Sequence, residues 1–318
     1  MTTMSLKRHA GFTLTELMIA LVLGSFLVAG VVGVYISNVQ TAQVQQRLMQ
    51  SQQSSQISFQ LLSRDAMHAG FSGCANMITQ RVVNVLNPPL AWWAVWTAGI
   101  QGFEQGAVPQ FAGAAITPVV TADAVQLMYG RGTSASVVTH DVAAVPPLVI
   151  NQNTAGIAVN DIVLACDSKM AVIFQVTAVN GNNISHSVGP GAPGNASLNF
   201  GFGANGVNFP QSLSADAGTV MPLESVGWFV GSTSNGTSLY RVALVSGLMR
   251  TEEILAGVEN MQVQYLSRNA AAYVDANAIV DWEQVIALRV TLTLANDTNS
   301  PVAAGLRTFT QVIHLRNH

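Results

Sequence analysis

Residues 7–36, KRHAGFTLTELMIALVLGSFLVAGVVGVYI, constrain this chain more than any other stretch, because they join a basic flank, a small-residue step and a long apolar run. Between Phe12 and Ile36 the one charged side chain is Glu16. A helix rising about 1.5 Å per residue over roughly 25 residues reaches about 37 Å, enough to cross a hydrocarbon core of about 30 Å. Val22, Val28, Val31, Val32 and Val34 are weak helix formers in water. A bilayer reverses that handicap, since the backbone there must satisfy its own hydrogen bonds. The expectation is a transmembrane helix over residues 12–36. Its basic flank predicts a cytoplasmic amino terminus with everything after Ile36 on the far side.

A secretory signal would have an apolar region of about 7 to 15 residues followed by its cleavage site. Here the small pair Ala10-Gly11 precedes the apolar run, so cutting there removes only the basic leader and leaves the hydrophobic helix in place. The string GFTLTELMIA at residues 11–20 resembles the prepilin peptidase site of type IV pilins and type II secretion pseudopilins. The resemblance implies cleavage after Gly11 and N-methylation of the new amino terminus, Phe12. It also implies a role for Glu16. A carboxylate in an apolar helix costs up to about 3 kcal/mol at mid-membrane and needs compensation. In the resembled family this glutamate pairs with the amino terminus of a neighbouring subunit, which assigns Glu16 to assembly register. The simpler alternative is a carboxylate snorkelling to the interface.

Composition agrees with a single-span envelope protein. The chain is 49% hydrophobic and 9% charged, which argues against disorder and against electrostatic nucleic-acid binding. Loss of Lys7 and Arg8 with the leader changes 13 basic against 16 acidic residues to 11 against 16 and makes the net charge −5.

Beyond the span, residues 37–64 are rich in Gln, Ser and Ala and contain no Pro or Gly. Leu48, Gln52, Ser55, Phe59, Leu62, Ala66 and Ala69 follow steps of four and three, one stripe of a helix. One continuous helix is expected from residue 12 to about 68, its second half leaning on a globular domain through Phe59 and Leu62, and ended by Gly70 and Gly73. Thereafter short β-type runs alternate with Gly, Pro, Asn and Ser. Strands are expected at residues 124–129, 161–165, 172–179, 227–230, 238–245, 261–266 and 309–316. The clearest is 285–294, where Ile286, Leu288, Val290, Leu292 and Leu294 alternate with smaller or polar residues. Residues 252–259, EEILAGVE, have a short helical look.

The fold class expected is therefore α+β and pilin-like: a cleaved leader (1–11), a long N-terminal helix (12–70) with its transmembrane half at 12–36, and a periplasmic β-rich domain (71–318) built on an antiparallel sheet. ADAVQLMYG at 122–130, DIVLACDSKMAVIFQVT at 161–177, GVENMQVQY at 257–265 and WEQVIALRVTLTL at 282–294 resemble the PilW family of minor pilins. That resemblance implies an inner-membrane protein that joins a type IV pilus or its tip. The partners implied are other minor pilins, the major pilin, prepilin peptidase, the inner-membrane assembly platform and a tip adhesin. The fibre so primed or capped would serve functions such as twitching motility. A type II secretion pseudopilin of the J-like kind is the neighbouring reading, and a membrane-tethered enzyme or carbohydrate binder the third.

Cys74 and Cys166 are the only cysteines. In an oxidising periplasm they are expected to pair, closing a loop of about 90 residues for roughly 4 to 5 kcal/mol in the chain-entropy account. Two buried free thiols are the alternative. No catalytic constellation, metal-binding spacing or phosphate loop is evident, so no enzyme activity, metal or cofactor is expected. Asp275, Asp281 and Glu283 are the nearest approach to a calcium set and lack an EF-hand's oxygen spacing. The segment at 189–206, GPGAPGNASLNFGFGANG, reads as a mobile surface loop. The run PPLAWWAVW at 88–96 holds three of the five tryptophans, to be packed over the domain's own core or offered to a neighbouring subunit.

Overall fold

The computed structural model describes residues 13–74, 81–88, 91–144, 147–168, 170–191, 193–201, 212–213, 218–245, 248–296 and 304–317. It divides into two compact units, residues 1–53 and residues 54–318. Gly11 and Phe12 lie outside the described residues.

Helix α1, Leu14–His68, runs through both units. Within the first unit its side chains are exposed apart from the half-buried Val44, Leu48 and Ser51, and two of its hydroxyls are turned back on the helix: Ser25 donates to the Val22 carbonyl at 2.7 Å and Thr41 to that of Ser37 at 2.9 Å. This is how a helix carries hydroxyls without presenting unpaired donors to an apolar medium.

The second unit begins with the last turns of α1 and continues into strands. The principal ones are β1 (Ala124–Gly130), β2 (Ala135–His140), β3 (Ile162–Cys166), β4 (Met170–Gln175) and β5 (Gly218–Thr233), followed by β6 (Gly236–Val245), β7 (Leu248–Ala256), β8 (Val258–Ser267), β9 (Val285–Leu294) and β10 (Thr308–His314). The 16-residue β5 is the spine. Its first residues pair antiparallel with β2 and β3, and from Leu223 onward it pairs with β1 on one side and, from Val226, with β6 on the other. Pro222, which has no N–H to donate, sits where the strand changes partners. Strands β8, β9 and β10 form a separate antiparallel sheet.

The stripe on α1 explains how the helix belongs to this unit. Phe59, Leu62, Ala66 and Ala69 are buried in one cluster with Val226 and Trp228 of β5, Leu239 of β6, Val263 of β8 and Leu288 and Val290 of β9. Large apolar side chains buried in this way contribute about 1.5 to 3 kcal/mol each. Gly70, in the left-handed region at φ +75°, ends the helix, and Asn317 donates to the carbonyls of Met67, His68 and Ala69 at 3.1 to 3.3 Å. Gly99 must be glycine here: its φ is +80° and a Cβ would lie 2.3 Å from the Gly70 nitrogen.

Cys74 and Cys166 are joined, with their Cα atoms 5.9 Å apart, and connect the segment after α1 to the end of β3. The tryptophan run is packed on the domain itself. Trp92 stands edge-on to Phe111 at 4.6 Å, and Trp93 and Trp96 rest on a cluster containing Met128, Leu164, Ile173 and Leu223.

Three expectations change. The segment expected to be helical at 252–259 is the end of β7, a turn at Gly257 with φ +72°, and the start of β8. Pairing with β6 from Ser238 to Val245 overrides the local helix propensity of Glu-Glu-Ile-Leu. The single strand expected at 172–179 is divided after Gln175, because the Val176 N–H turns to the Asp161 carbonyl and Ala178–Asn180 pairs elsewhere. Part of the glycine-rich segment is ordered as a ribbon, Gly189–Pro190 against Gly194–Asn195, pinned by the buried Asn195 side chain, which accepts from the Gln175 N–H at 2.8 Å. Residues 192 and 202–206 of it lie outside the described residues.

Candidate functional site

Two places concentrate the polar chemistry: the start of α1 and its buried last turns. At the start, Thr13 and Glu16 form a reciprocal cap. The Thr13 N–H and hydroxyl donate to Glu16 Oε2 at 3.0 and 2.9 Å, and the Glu16 N–H donates to Thr13 Oγ1 at 3.3 Å. This is the Ser/Thr-x-x-Glu arrangement that satisfies two orphan donors of a helix start. One carboxylate oxygen takes both bonds, leaving Oε1 with no bond among the described residues. The carboxylate that sequence reasoning singled out is thus held at the helix mouth. Following it, Leu17, Leu21, Val28 and Val32 flank Ala20, Gly24 and Ala29, which open a shallow apolar groove along one face. Of the described helices, α1 alone is long and apolar enough to cross a membrane.

At the other end, Asp65 is buried on the inward stripe of α1 with 1% of its surface exposed. Trp228 Nε1 donates to it at 3.0 Å, the Tyr129 hydroxyl at 3.2 Å, and Arg241 through Nε at 2.7 Å and Nη2 at 3.3 Å. Arg241 Nη2 also reaches Glu224 at 2.9 Å, and Arg131 stands 3.4 Å from Glu224. Burial works against the Arg241 charge, but the bonds to Asp65 and then Glu224 outweigh it and hold the guanidinium above its ordinary value. Burial first, then the Asp65 charge, pushes the Tyr129 phenol up. The hub therefore fixes α1 to β1, β5 and β6 by charge and hydrogen bonds as well as apolar contact. Sequence reasoning missed it. A signal existed: Asp65 is an acid at an inward position, four residues before Ala69 and three after Leu62.

A second buried polar feature joins β2 to the strand region around His186. The Leu213 N–H donates to His140 Nδ1 at 3.0 Å, so the His140 proton sits on Nε2, which donates to His186 Nε2 at 2.9 Å. Phe200 stacks on His140 at 4.3 Å, and Phe174 lies 4.9 Å from His186. Burial lowers His140 to about 4, and burial followed by the neighbouring His140 lowers His186 to about 3. A folded value below the unfolded one means that the unfolded chain takes up more protons between roughly pH 6.5 and 4. The pair is neutral and fully stabilising above about pH 6.5, and the domain should lose about 3 kcal/mol or more as pH falls to 4.

Asp123 has the opposite sign. Burial first, resisted by the Val263 N–H at 2.9 Å and reinforced by Glu104 and Asp275, raises it to about 6. Its protonated form is favoured by folding, so its contribution is full below about pH 4 and is lost as pH rises through 6. Asp123→Asn should therefore stabilise the domain by about 1 to 3 kcal/mol at pH 7.5 and change nothing at pH 4. Because the two effects oppose one another between pH 4 and 6, urea midpoints of the Asp123→Asn variant should fall more steeply with acid than those of the parent. Equal slopes would remove Asp123 from this account.

Among the described residues no group of three or more His, Cys, Asp or Glu side chains is placed to hold a metal ion. Asp275 is bonded to Gln264 at 3.0 Å, and Asp281 caps Glu283 at 2.9 Å. Compared with known families, residues 6–32 match the prokaryotic N-terminal methylation motif, and residues 227–312 match type IV pilus-assembly protein W. The second match takes in Trp228 and Arg241 and strands β6 to β9. No curated protein and no solved structure gives a match.

Proposed function

We propose that this type IV pilin-like chain, with its prepilin motif and PilW-type assembly domain, is a minor pilin that primes or caps the pilus through helix packing and contacts with other minor pilins. It would wait in the inner membrane as a single-span protein, its amino terminus cytoplasmic and its globular unit periplasmic. Prepilin peptidase would cut after Gly11, Phe12 would be N-methylated, and the subunit would then enter the fibre or its tip through the assembly platform. The work done is association, and no catalytic step is assigned to it.

The observation that carries this reading is the placement of one carboxylate at the mouth of a helix whose first half is otherwise apolar, inside the matched methylation motif. Glu16 Oε2 is committed to Thr13, which leaves Oε1 for the Phe12 ammonium of a neighbouring subunit. Such a pair inside an apolar bundle would be strong and direction-specific, since neither charge has water as a competitor. Small residues along the same helix would let neighbouring helices approach closely. The test is mass spectrometry of the protein from a peptidase-competent cell, together with capture of the detergent-solubilised full chain by candidate minor pilins. N-methylated Phe12 and co-purifying minor pilins are the expected result. An intact Met1, or capture by secretion pseudopilins in place of pilus subunits, would overturn it.

A further inference from the structure

Strand β7 is an open edge. It pairs with β6 and with no other strand among the described residues. Residues 248–253 are exposed, Leu248 by 67%, and neither Arg250 nor Glu252 has an ion-pair partner among the described residues. Arg241 stands directly across the ladder from Glu252, but its guanidinium is given to Asp65 and Glu224.

An exposed edge of this length is normally protected against pairing by charge. The charges on β7 have a second property. Read as Met249-Arg250-Thr251-Glu252-Glu253, the strand is complementary to itself when run antiparallel about Thr251. Arg250 then faces Glu252 of the second copy, Glu252 faces Arg250, and Thr251 faces Thr251. Directly opposed residues of an antiparallel pair lie on the same face, so both ion pairs form on one side of the joint sheet. Shifting the register by two residues opposes Glu252 to Glu252 or Arg250 to Arg250, and a parallel arrangement opposes like to like throughout. The charges thus favour this register over those two residues away, while a one-residue shift, which opposes Arg250 to Glu253, turns the second copy's sheet over and competes with the bond from Ser238 to Glu253. A second long edge, on β10, has the sequence TFTQVIH and offers no such pairing.

We infer that β7 is a self-recognition edge through which two copies of this chain join their sheets across a two-fold axis at Thr251. Six residues a side bury less than the roughly 800 Å² per partner of a standard interface. The pair therefore forms where copies are concentrated and co-oriented by a shared membrane, and dissociates in dilute detergent. The inference goes beyond the assembly role and stands apart from it: failure to dimerise leaves Phe12 processing and capture by minor pilins unaffected.

The experiment places Thr251→Cys in the full-length chain in the inner membrane of cells with an oxidising periplasm. Cys74 and Cys166 are already joined, so the introduced thiols are the free ones. In an antiparallel pair opposed Cα atoms are about 4.5 to 5.5 Å apart, within disulfide reach. More than half of the protein is expected as a disulfide-linked homodimer on non-reducing gels. Adding Arg250→Glu should reduce the linked fraction at least about fivefold, and adding Glu252→Arg to that variant should restore it to within about twofold. Restoration by the double reversal cannot come from a folding defect. Monomer only, a link to a different pilin identified by mass, or equal linking in the Thr251→Cys protein and both charge variants would each overturn the inference.

Discussion

Asp65→Ala is expected to destabilise the globular unit by about 3 kcal/mol, because it leaves the buried Arg241 guanidinium with Glu224 as its one remaining carboxylate and removes the acceptor of the Trp228 and Tyr129 donors together. Urea denaturation of the full chain in detergent, followed by Trp fluorescence, measures it. Asp65→Asn keeps an acceptor but loses the charge, so it should fall between the parent and Ala. Removing both charges with Asp65→Leu and Arg241→Met should recover part of the loss, since the penalty lies mainly in the unpaired partner. If the pair costs as much as the sum of the single changes, Asp65 and Arg241 are not coupled in the manner their 2.7 Å contact implies.

The second large effect concerns assembly and should leave folding untouched. Glu16→Ala is expected to insert in the membrane normally, to be cut and methylated, and to enter fibres or tip complexes at least tenfold less than the parent, consistent with the loss of more than about 1.4 kcal/mol of pairing energy. Immunodetection of the subunit in sheared fibres against the membrane fraction reads this ratio. Glu16→Gln keeps the cap on Thr13 but cannot pair with an ammonium as a charge, so it should resemble Ala in assembly and the parent in helix start. Normal entry of the Ala variant would place register elsewhere.

How much of this was legible in the residues follows from burial. The half-buried β9 alternates, and its limits at Val285 and Leu294 are those of the sequence pattern. The stripe ending at Phe59, Leu62 and Ala66 was likewise readable, because one face of that helix is buried and the other is not. The spine β5 was recognised only at 227–230. It is buried on both faces and interrupted by Pro222, Ser225 and Gly227, so it has neither a period of two nor an unbroken apolar run. The end of strand β7 is illegible as strand because Glu-Glu-Ile-Leu carries helix propensity locally and its strand conformation is imposed by β6. The polar centres were mostly illegible. Asp65 meets Arg241 across 176 residues and His140 meets His186 across 46, separations at which no spacing rule operates. Glu16 stands out in the sequence as the one charged side chain between Phe12 and Ile36, whereas its cap on Thr13, three residues away, is visible only in the structure.

For the fibre subunit proposed above, the covalent link between Cys74 and Cys166 has a mechanical consequence under tension. With its ends 92 positions apart in sequence, the loop it closes lies outside the load path of any tension applied along the backbone, which passes from one sulfur to the other. At about 3.5 Å per residue, some 300 Å of slack is therefore withheld from an unravelling subunit. Even when its remaining contacts have given way, such a subunit lengthens by that much less before the force is handed to its neighbour.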